Sequence, residues 1–225
     1  MKKRVGLFGA TGRMGKEISQ LLATSNDLEL HYAVQRTTAW DEKRASEVDV
    51  WIDFSLPEAF EAMLQRVKTT GKPLVSGTTG LTPDQHAKLK SLSESQPVLW
   101  ASNMSLGVSV LTEALKVLSA LSDFDFQVEE IHHNRKKDKP SGTALSLQEA
   151  LKQAVQKDLP EPLAIRGGGV FGEHKIYALG EEEVLTFGHS ALNRTVFAKG
   201  AVRAAGWIIR QKAGYYSIAN MLFKN

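Results

Sequence analysis

Through its first hundred residues the chain alternates short apolar runs with segments of helical period. Val5–Phe8 is apolar and leads into a glycine loop, after which Met14, Ile18, Leu21 and Leu22 fall on one helical face. Further runs at Leu28–Val34, Val48–Phe54, Pro73–Ser76 and Val98–Ala101 predict strands. Between them, Phe60, Met63, Leu64 and Val67 give a helical face that stops at Gly71. Ser55 with Glu58, around Pro57, reads as one capping box, and Thr82 with Gln85 as another. Strand and helix in alternation is the pattern of a parallel sheet covered by helices.

From Gly107 the texture changes. Val108, Leu111, Leu115 and Leu118 mark a helix, and Phe124–Ile131 alternates acidic with apolar residues as a strand does. Ser141 opens a helix carrying Ala144, Leu147, Leu151, Ala154 and Val155 on one face. Short strands are predicted at Leu163–Arg166, His174–Leu179 and Glu183–Phe187, and a helix from Asn193 to Lys212 with Gly214 as its stop. This second region reads as a separate α+β domain beginning near Asn103.

With 225 residues, 42% of them hydrophobic, the chain can bury a real core and is not disordered. Its 28 basic residues exceed its 25 acidic ones only slightly, which favours a small anionic ligand over nucleic acid. The basic run Arg135–Lys139 has no aromatic platform or recognition-helix pattern beside it, so it predicts no nucleic-acid binding. The absence of cysteine excludes disulfides, thiolate zinc sites and cysteine nucleophiles, and suits a cytoplasmic protein. No uncharged apolar stretch approaches the roughly 18 residues a membrane span needs. The start, MKKRVGLFGATG, reads as a strand and not as a signal peptide.

Two segments carry chemistry. Gly9-Ala10-Thr11-Gly12-Arg13-Met14-Gly15 follows a strand and opens a helix, the context in which glycines let a backbone approach a pyrophosphate. The acidic residue that would bind the ribose hydroxyls about 20 positions on is replaced by Gln35 and Arg36. NADPH should therefore be accepted at least as well as NADH. Asp53-Phe54-Ser55, Gly77-Thr78-Thr79-Gly80 and Ala101-Ser102-Asn103-Met104 end successive strands and would line the same crevice. In the other segment, Ile131–Leu145, His132, His133 and Lys136 precede the helix start at Ser141-Gly142-Thr143, so titratable groups adjoin free amides that suit a carboxylate. Neighbouring strand residues face opposite ways, so the two histidines are poorly placed to share an ion and no metal is expected. Against this stand a solvated charge run and a dinucleotide sensor without catalysis, neither of which needs a histidine pair beside a helix start.

These segments, in this order, resemble the bacterial 4-hydroxy-tetrahydrodipicolinate reductases, also called dihydrodipicolinate reductases. The resemblance involves GATGRMG at Gly9–Gly15, IDFS at Ile52–Ser55, SGTTG at Ser76–Gly80 and HHNRKKDKPSGTAL at His132–Leu145. It continues with GEH at Gly172–His174 and NRTVFAKGAVRAA at Asn193–Ala205. It implies a Rossmann-type parallel-sheet domain at residues 1–103, completed by 194–225, and a smaller α+β domain at 104–193 that binds substrate and builds a homotetramer. It implies NAD(P)H-dependent reduction of a cyclic dicarboxylate, with His132 as acid/base residue and Lys136 as its partner. His133, Ser141, Gly142 and Thr143 would bind the substrate carboxylates, and Gly9, Arg13, Met14, Arg36, Gly77, Thr79, Asn103 and Phe197 would surround the cofactor. A related reductase or dehydrogenase of another small dicarboxylate is the alternative. Most of the family carry a longer insertion after the position of Arg36, which implies reduced loops and a smaller sheet here.

Overall fold

In the computed structural model, which describes residues 1–223, β1 (Lys3–Phe8) passes through the glycine loop into α1 (Arg13–Thr24), which returns the chain to β2 (Leu28–Val34). A short α2 (Glu42–Ser46) then precedes β3 (Val50–Asp53), α3 (Phe60–Thr70), β4 (Leu74–Ser76), α4 (Pro83–Leu92) and β5 (Pro97–Trp100). After an intervening unit the chain comes back through α7 (Thr195–Ile208), β10 (Gly214–Tyr216) and α8 (Ile218–Phe223). The resulting sheet has six strands, all paired in parallel, in the order β10-β5-β4-β3-β1-β2. Both faces of such a sheet are covered, which is why all four residues of β3 are buried and its sequence lacks alternation.

The chain divides into two compact units, Met1–Met104 together with the residues from Phe197 onward, and Ser105–Val196. In the first, Trp51 lies over Gly6, where an added Cβ would come within 2.2 Å of the indole. Trp51 also joins Phe8, Tyr32 and Trp40 in an aromatic cluster with ring centroids 4.9 to 6.3 Å apart. Trp40 and α2 fill the short connection after Arg36, and Asp41 caps α2 by accepting from the Arg44 amide at 3.0 Å.

The Thr82 and Gln85 capping box forms as expected, at 3.2 and 2.9 Å. The Ser55 and Glu58 box does not. Ser55 instead donates its hydroxyl to Asp53 at 2.6 Å, and the helix begins through a 3-10 turn at Pro57–Ala59 capped by Leu56. The tail helix is also shorter than its pattern, and Gly214 starts an edge strand where a helix stop was expected. Three residues are too few to display a period.

The second unit comprises α5 (Leu106–Ala114) continued by 3-10 turns at Leu115–Ala120, then β6 (Asp125–His132), α6 (Gly142–Val155), β7 (Leu163–Arg166), β8 (Glu173–Leu179) and β9 (Val184–Ser190). Its sheet runs β7-β6-β8-β9, antiparallel except between β6 and β7. Phe126, Val128, Ile176 and Ala178 form the inner face, against which α6 packs Ala144, Leu147, Leu151 and Val155. Each fully buried leucine there contributes on the order of 2 kcal/mol. The outer face carries the exposed Leu163, Ile165, Leu179 and Val184.

Candidate active site

On a strand, residues two apart point the same way, so Glu130 and His132 continue the inner face that Phe126 and Val128 begin. Register then assembles a polar row. His174 on β8 pairs with Glu130, His189 on β9 pairs with His174, and Arg166 on β7 pairs with His132. Nδ1 of His132 is hydrogen-bonded to the Glu130 carboxylate. Arg166 grips the same carboxylate with two prongs, at 2.8 and 2.6 Å, and the Ser141 amide donates to it at 3.0 Å. A carboxylate with no exposed surface requires such compensation. The rings of His132 and His174 meet edge to face with centroids 5.2 Å apart, and Ser105 Oγ lies 3.0 Å from Nε2 of His189.

Burial alone would raise the Glu130 pKa, but Arg166, His132 and the Ser141 amide outweigh it and hold the group below the ordinary value. Burial draws His132 down, against the upward pull of Glu130, while Lys136 and Arg166 add to the lowering. Burial, with His132 next, pushes His174 down to about 4, and burial lowers His189 as well. At neutral pH the row is therefore three neutral imidazoles around one paired carboxylate. A Cβ on Gly172 would sit 3.0 Å from Nε2 of His132, so glycine there keeps a side chain off the ring's second nitrogen.

Beside this row, Ser141 caps α6, its hydroxyl accepting from the Ala144 amide at 3.2 Å. Gly142 is exposed and Thr143 half-buried in the first turn. The exposed Asp138 carboxylate lies 2.8 Å from Lys136 Nζ. Burial would raise its pKa, but the Lys136 ammonium and the amides of Asp138 and Gly142 lower it. Lys136 and the start of α6 thus already seat a carboxylate, one supplied by the chain itself. His133 lies just past β6, half-buried, with its Nδ1 buried and lacking a hydrogen-bond partner. Burial, Arg135 and Arg194 lower its pKa.

The glycine loop in the first unit is shaped by close approach. Gly9 has φ +77°, and a Cβ on it would meet the Phe54 carbonyl oxygen at 2.3 Å; a Cβ on Gly15 would meet the Gly9 oxygen at 2.2 Å. The Gly12 amide closes the loop onto the Gly9 oxygen at 3.0 Å. Gly12 caps α1 without a side chain and no acid occupies the first turn, so the amides and the positive end of the helix dipole are open to an anion. A dinucleotide pyrophosphate fits this cradle. Thr11, Gly12 and Arg13 are exposed on it and Met14 is half-buried. Arg36 is exposed in the turn after β2 that Gln35 and Thr38 close at 2.9 and 3.1 Å.

Phe54 and Gly77 touch at the ends of β3 and β4, where a Cβ on Gly77 would come within 2.4 Å of the phenyl ring. Asp53, buried, accepts from Ser55, Ser76 and Thr78 hydroxyls and ties these strand ends together. The Thr78 hydroxyl is thus committed at 2.8 Å to Asp53, while Thr79 is exposed beside it. Past β5, Ala101 and Asn103 are half-buried, Ser102 is exposed and Met104 is buried, its carbonyl pressed against Gly200 of α7. Phe197 is half-buried on α7.

Glu130, Arg166, His174 and His189 were not singled out as site residues from the sequence. The Glu-x-His pair within an alternating strand is a local signal for Glu130 alone, and His174 falls within the GEH segment of the resemblance. Among the described residues no group of three or more His, Asp or Glu side chains could hold a metal ion, and no helix is long and apolar enough to cross a membrane.

A dinucleotide-binding parallel sheet and a mixed-sheet unit that carries buried imidazoles and a carboxylate seat define an NAD(P)-dependent oxidoreductase of two units. The chain belongs to the dihydrodipicolinate reductase family, whose N-terminal part matches residues 3–104 and whose C-terminal part matches residues 107–222. A relative from Bdellovibrio bacteriovorus named 4-hydroxy-tetrahydrodipicolinate reductase is 59% identical, over 99% of this chain and 98% of its own. One of the same name from Sulfurimonas denitrificans is 38% identical, over 97% and 98%. Among solved structures, a dipicolinate-bound dihydrodipicolinate reductase from Paenisporosarcina sp. TG-14 shares the fold, with TM-score 0.78 and 20% identity over 96% of this chain and 98% of that one. A DAP dehydrogenase of C. glutamicum shares it more loosely, with TM-score 0.63 and 11% identity over 97% and 93%.

Proposed function

We infer that this chain reduces 4-hydroxy-tetrahydrodipicolinate to tetrahydrodipicolinate at the expense of NAD(P)H, a step of diaminopimelate and lysine synthesis. The observation that carries the chemistry is the Asp138 carboxylate on Lys136 and the α6 start, within the same unit as the buried His132. A substrate carboxylate replaces Asp138 there. The second carboxylate is assigned to His133 and its neighbouring cations.

When bound, the reduced nicotinamide would supply a hydride at C4 of the unsaturated imine that remains once the substrate's hydroxyl has left as water with a proton from the neighbouring ring carbon; one further proton is then consumed at that carbon. Lys136, Ser141, Gly142 and Thr143 hold the diacid in one orientation, so that positioning carries much of the acceleration. His132 delivers the proton from Nε2 as negative charge builds in the conjugated system, a role worth roughly a hundredfold to ten-thousandfold in rate. The dianionic substrate itself favours the imidazolium by raising the His132 pKa.

Gly9, Thr11, Gly12, Arg13 and Met14 are assigned to the cofactor pyrophosphate, and Phe54, Gly77, Thr78, Thr79, Ala101, Ser102, Asn103, Met104 and Phe197 to the remaining cofactor wall, Thr78 and Met104 through their backbone. Arg36 attracts a 2′-phosphate and Gln35 does not repel one, so NADPH is used at least as well as NADH. The outer face of the second unit's sheet, with Leu163, Ile165, Leu179 and Val184 exposed, is the surface on which a homotetramer would assemble. A cysteine-free biosynthetic enzyme of this kind works in the cytoplasm. The test is to follow NADPH and NADH oxidation with freshly generated 4-hydroxy-tetrahydrodipicolinate. Turnover on this compound, and none on diaminopimelate with oxidised cofactor, is expected; the reverse would overturn the assignment.

A further inference from the structure

The polar row contains a carboxylate for which the reaction has no direct use. Glu130 is fully buried and lies against Nδ1 of His132, on the side of the ring away from Nε2. Its two oxygens hold four groups from three places in the chain. Oε2 takes Nδ1 of His132 and one prong of Arg166, and Oε1 takes the other prong together with the Ser141 amide at the start of α6. Arg166 in turn donates to the Asp138 carbonyl at 2.7 Å, within the loop that carries Lys136. A single buried ion pair therefore connects the ring that delivers the proton, the helix start that seats the carboxylate and the loop between them.

We propose that Glu130, clamped by Arg166, is the positioning residue of this site. It keeps the proton of neutral His132 on Nδ1, directs Nε2 outward, and holds the α6 start and the Lys136 loop in register with that nitrogen. The inference rests on the reductase reading of the site and adds to it a residue that touches neither substrate nor cofactor. The physical basis is familiar: the nitrogen of a histidine that is free to act is set by the partner of the other one. A buried carboxylate is a good partner only when a fixed cation and amides prevent it from turning away.

The two members of the clamp bear oppositely on His132. It is faced by Glu130 from its own strand, Arg166 from β7, His174 from β8 and Lys136 from the loop. Glu130→Gln keeps the shape but removes the negative charge; Arg166→Gln removes the cation and leaves Glu130 on the ring. With His132 as proton donor, turnover is lost as pH rises through its pKa in the substrate complex. Glu130→Gln should move that limb of the kcat profile to lower pH and reduce kcat on the order of a hundredfold, with KM for the diacid changed much less. Arg166→Gln should move the same limb to higher pH and raise KM, because the Lys136 loop loses its anchor. Imidazole 15N shifts should report the Nδ1–H form of His132 in the wild type and a mixture of tautomers in Glu130→Gln.

A folded Glu130→Gln protein with wild-type kcat, limb position and His132 tautomer would overturn the proposal, as would two variants whose limbs move in the same direction. If Glu130→Gln does not fold, the Arg166→Gln profile decides alone: a limb moved upward supports the clamp and an unmoved one refutes it. Wild-type NADPH oxidation tests the reductase reading separately. An active wild type with an indifferent Glu130→Gln removes the clamp and leaves the reaction intact.

Discussion

Replacing His174 by glutamine should flatten the acid side of the stability curve. In the folded chain burial first, and His132 second, push this imidazole down to about 4 from an ordinary 6.5. The folded value lies below the unfolded one, so between them it is the unfolded chain that binds the extra proton. The stabilisation is therefore complete above about pH 6.5 and is lost as the pH falls toward about 4. A gap of roughly 2.5 units corresponds to about 3 kcal/mol, of which about 2 kcal/mol falls between roughly pH 7 and pH 4.5. Urea unfolding of wild type and His174→Gln across that interval, followed by far-ultraviolet circular dichroism, reads the difference. Trp40, Trp51, Trp100 and Trp207 all lie in the other unit, so tryptophan emission provides an internal reference. The wild type should lose about 2 kcal/mol more than the variant over this interval and retain some slope in both cases from His132 and His189. Equal losses in the two proteins would mean that His174 is protonated in the folded state without penalty.

Gly15→Ala places a Cβ 2.2 Å from the Gly9 oxygen, so the loop must move; loss of one charge-assisted bond to the cofactor, about 1.5 kcal/mol or more, weakens NADPH roughly tenfold by fluorescence titration. Unaltered affinity would take the glycine loop out of the cofactor site. Arg36→Ala should raise KM for NADPH about tenfold more than KM for NADH, and an equal change in both would remove Arg36 from the 2′-phosphate. Lys136→Ala should cost roughly tenfold to a hundredfold in kcat/KM for the diacid, and a folded variant with wild-type turnover would end its assigned role.

The first unit was largely legible in the sequence because parallel strands buried on both faces leave continuous apolar runs, and a glycine loop between strand and helix is a local pattern. What escaped was decided by partners distant in sequence. Ser55 matches a capping residue, yet the buried Asp53 two positions back takes its hydroxyl. In the second unit, the segment from His132 to Thr143 could be read because its chemistry is contiguous. The other half of the site could not. His174, His189 and Arg166 are single polar residues on separate strands, and only the register of β7, β6, β8 and β9 brings Arg166 and His174 beside His132 and Glu130 and sets His189 against His174. Alternation reveals which face a residue occupies but not which residue of another strand lies beside it.

The central claim is that a substrate carboxylate takes the place Asp138 now holds. A crystal structure of the protein with a cyclic dicarboxylate analogue tests it most directly. The predicted result is a carboxylate within hydrogen-bonding distance of Lys136 Nζ and the amides of Gly142 and Thr143, with Asp138 displaced and Nε2 of His132 turned toward the ring. An analogue bound elsewhere, with Asp138 still paired to Lys136 in the crystal, would contradict it.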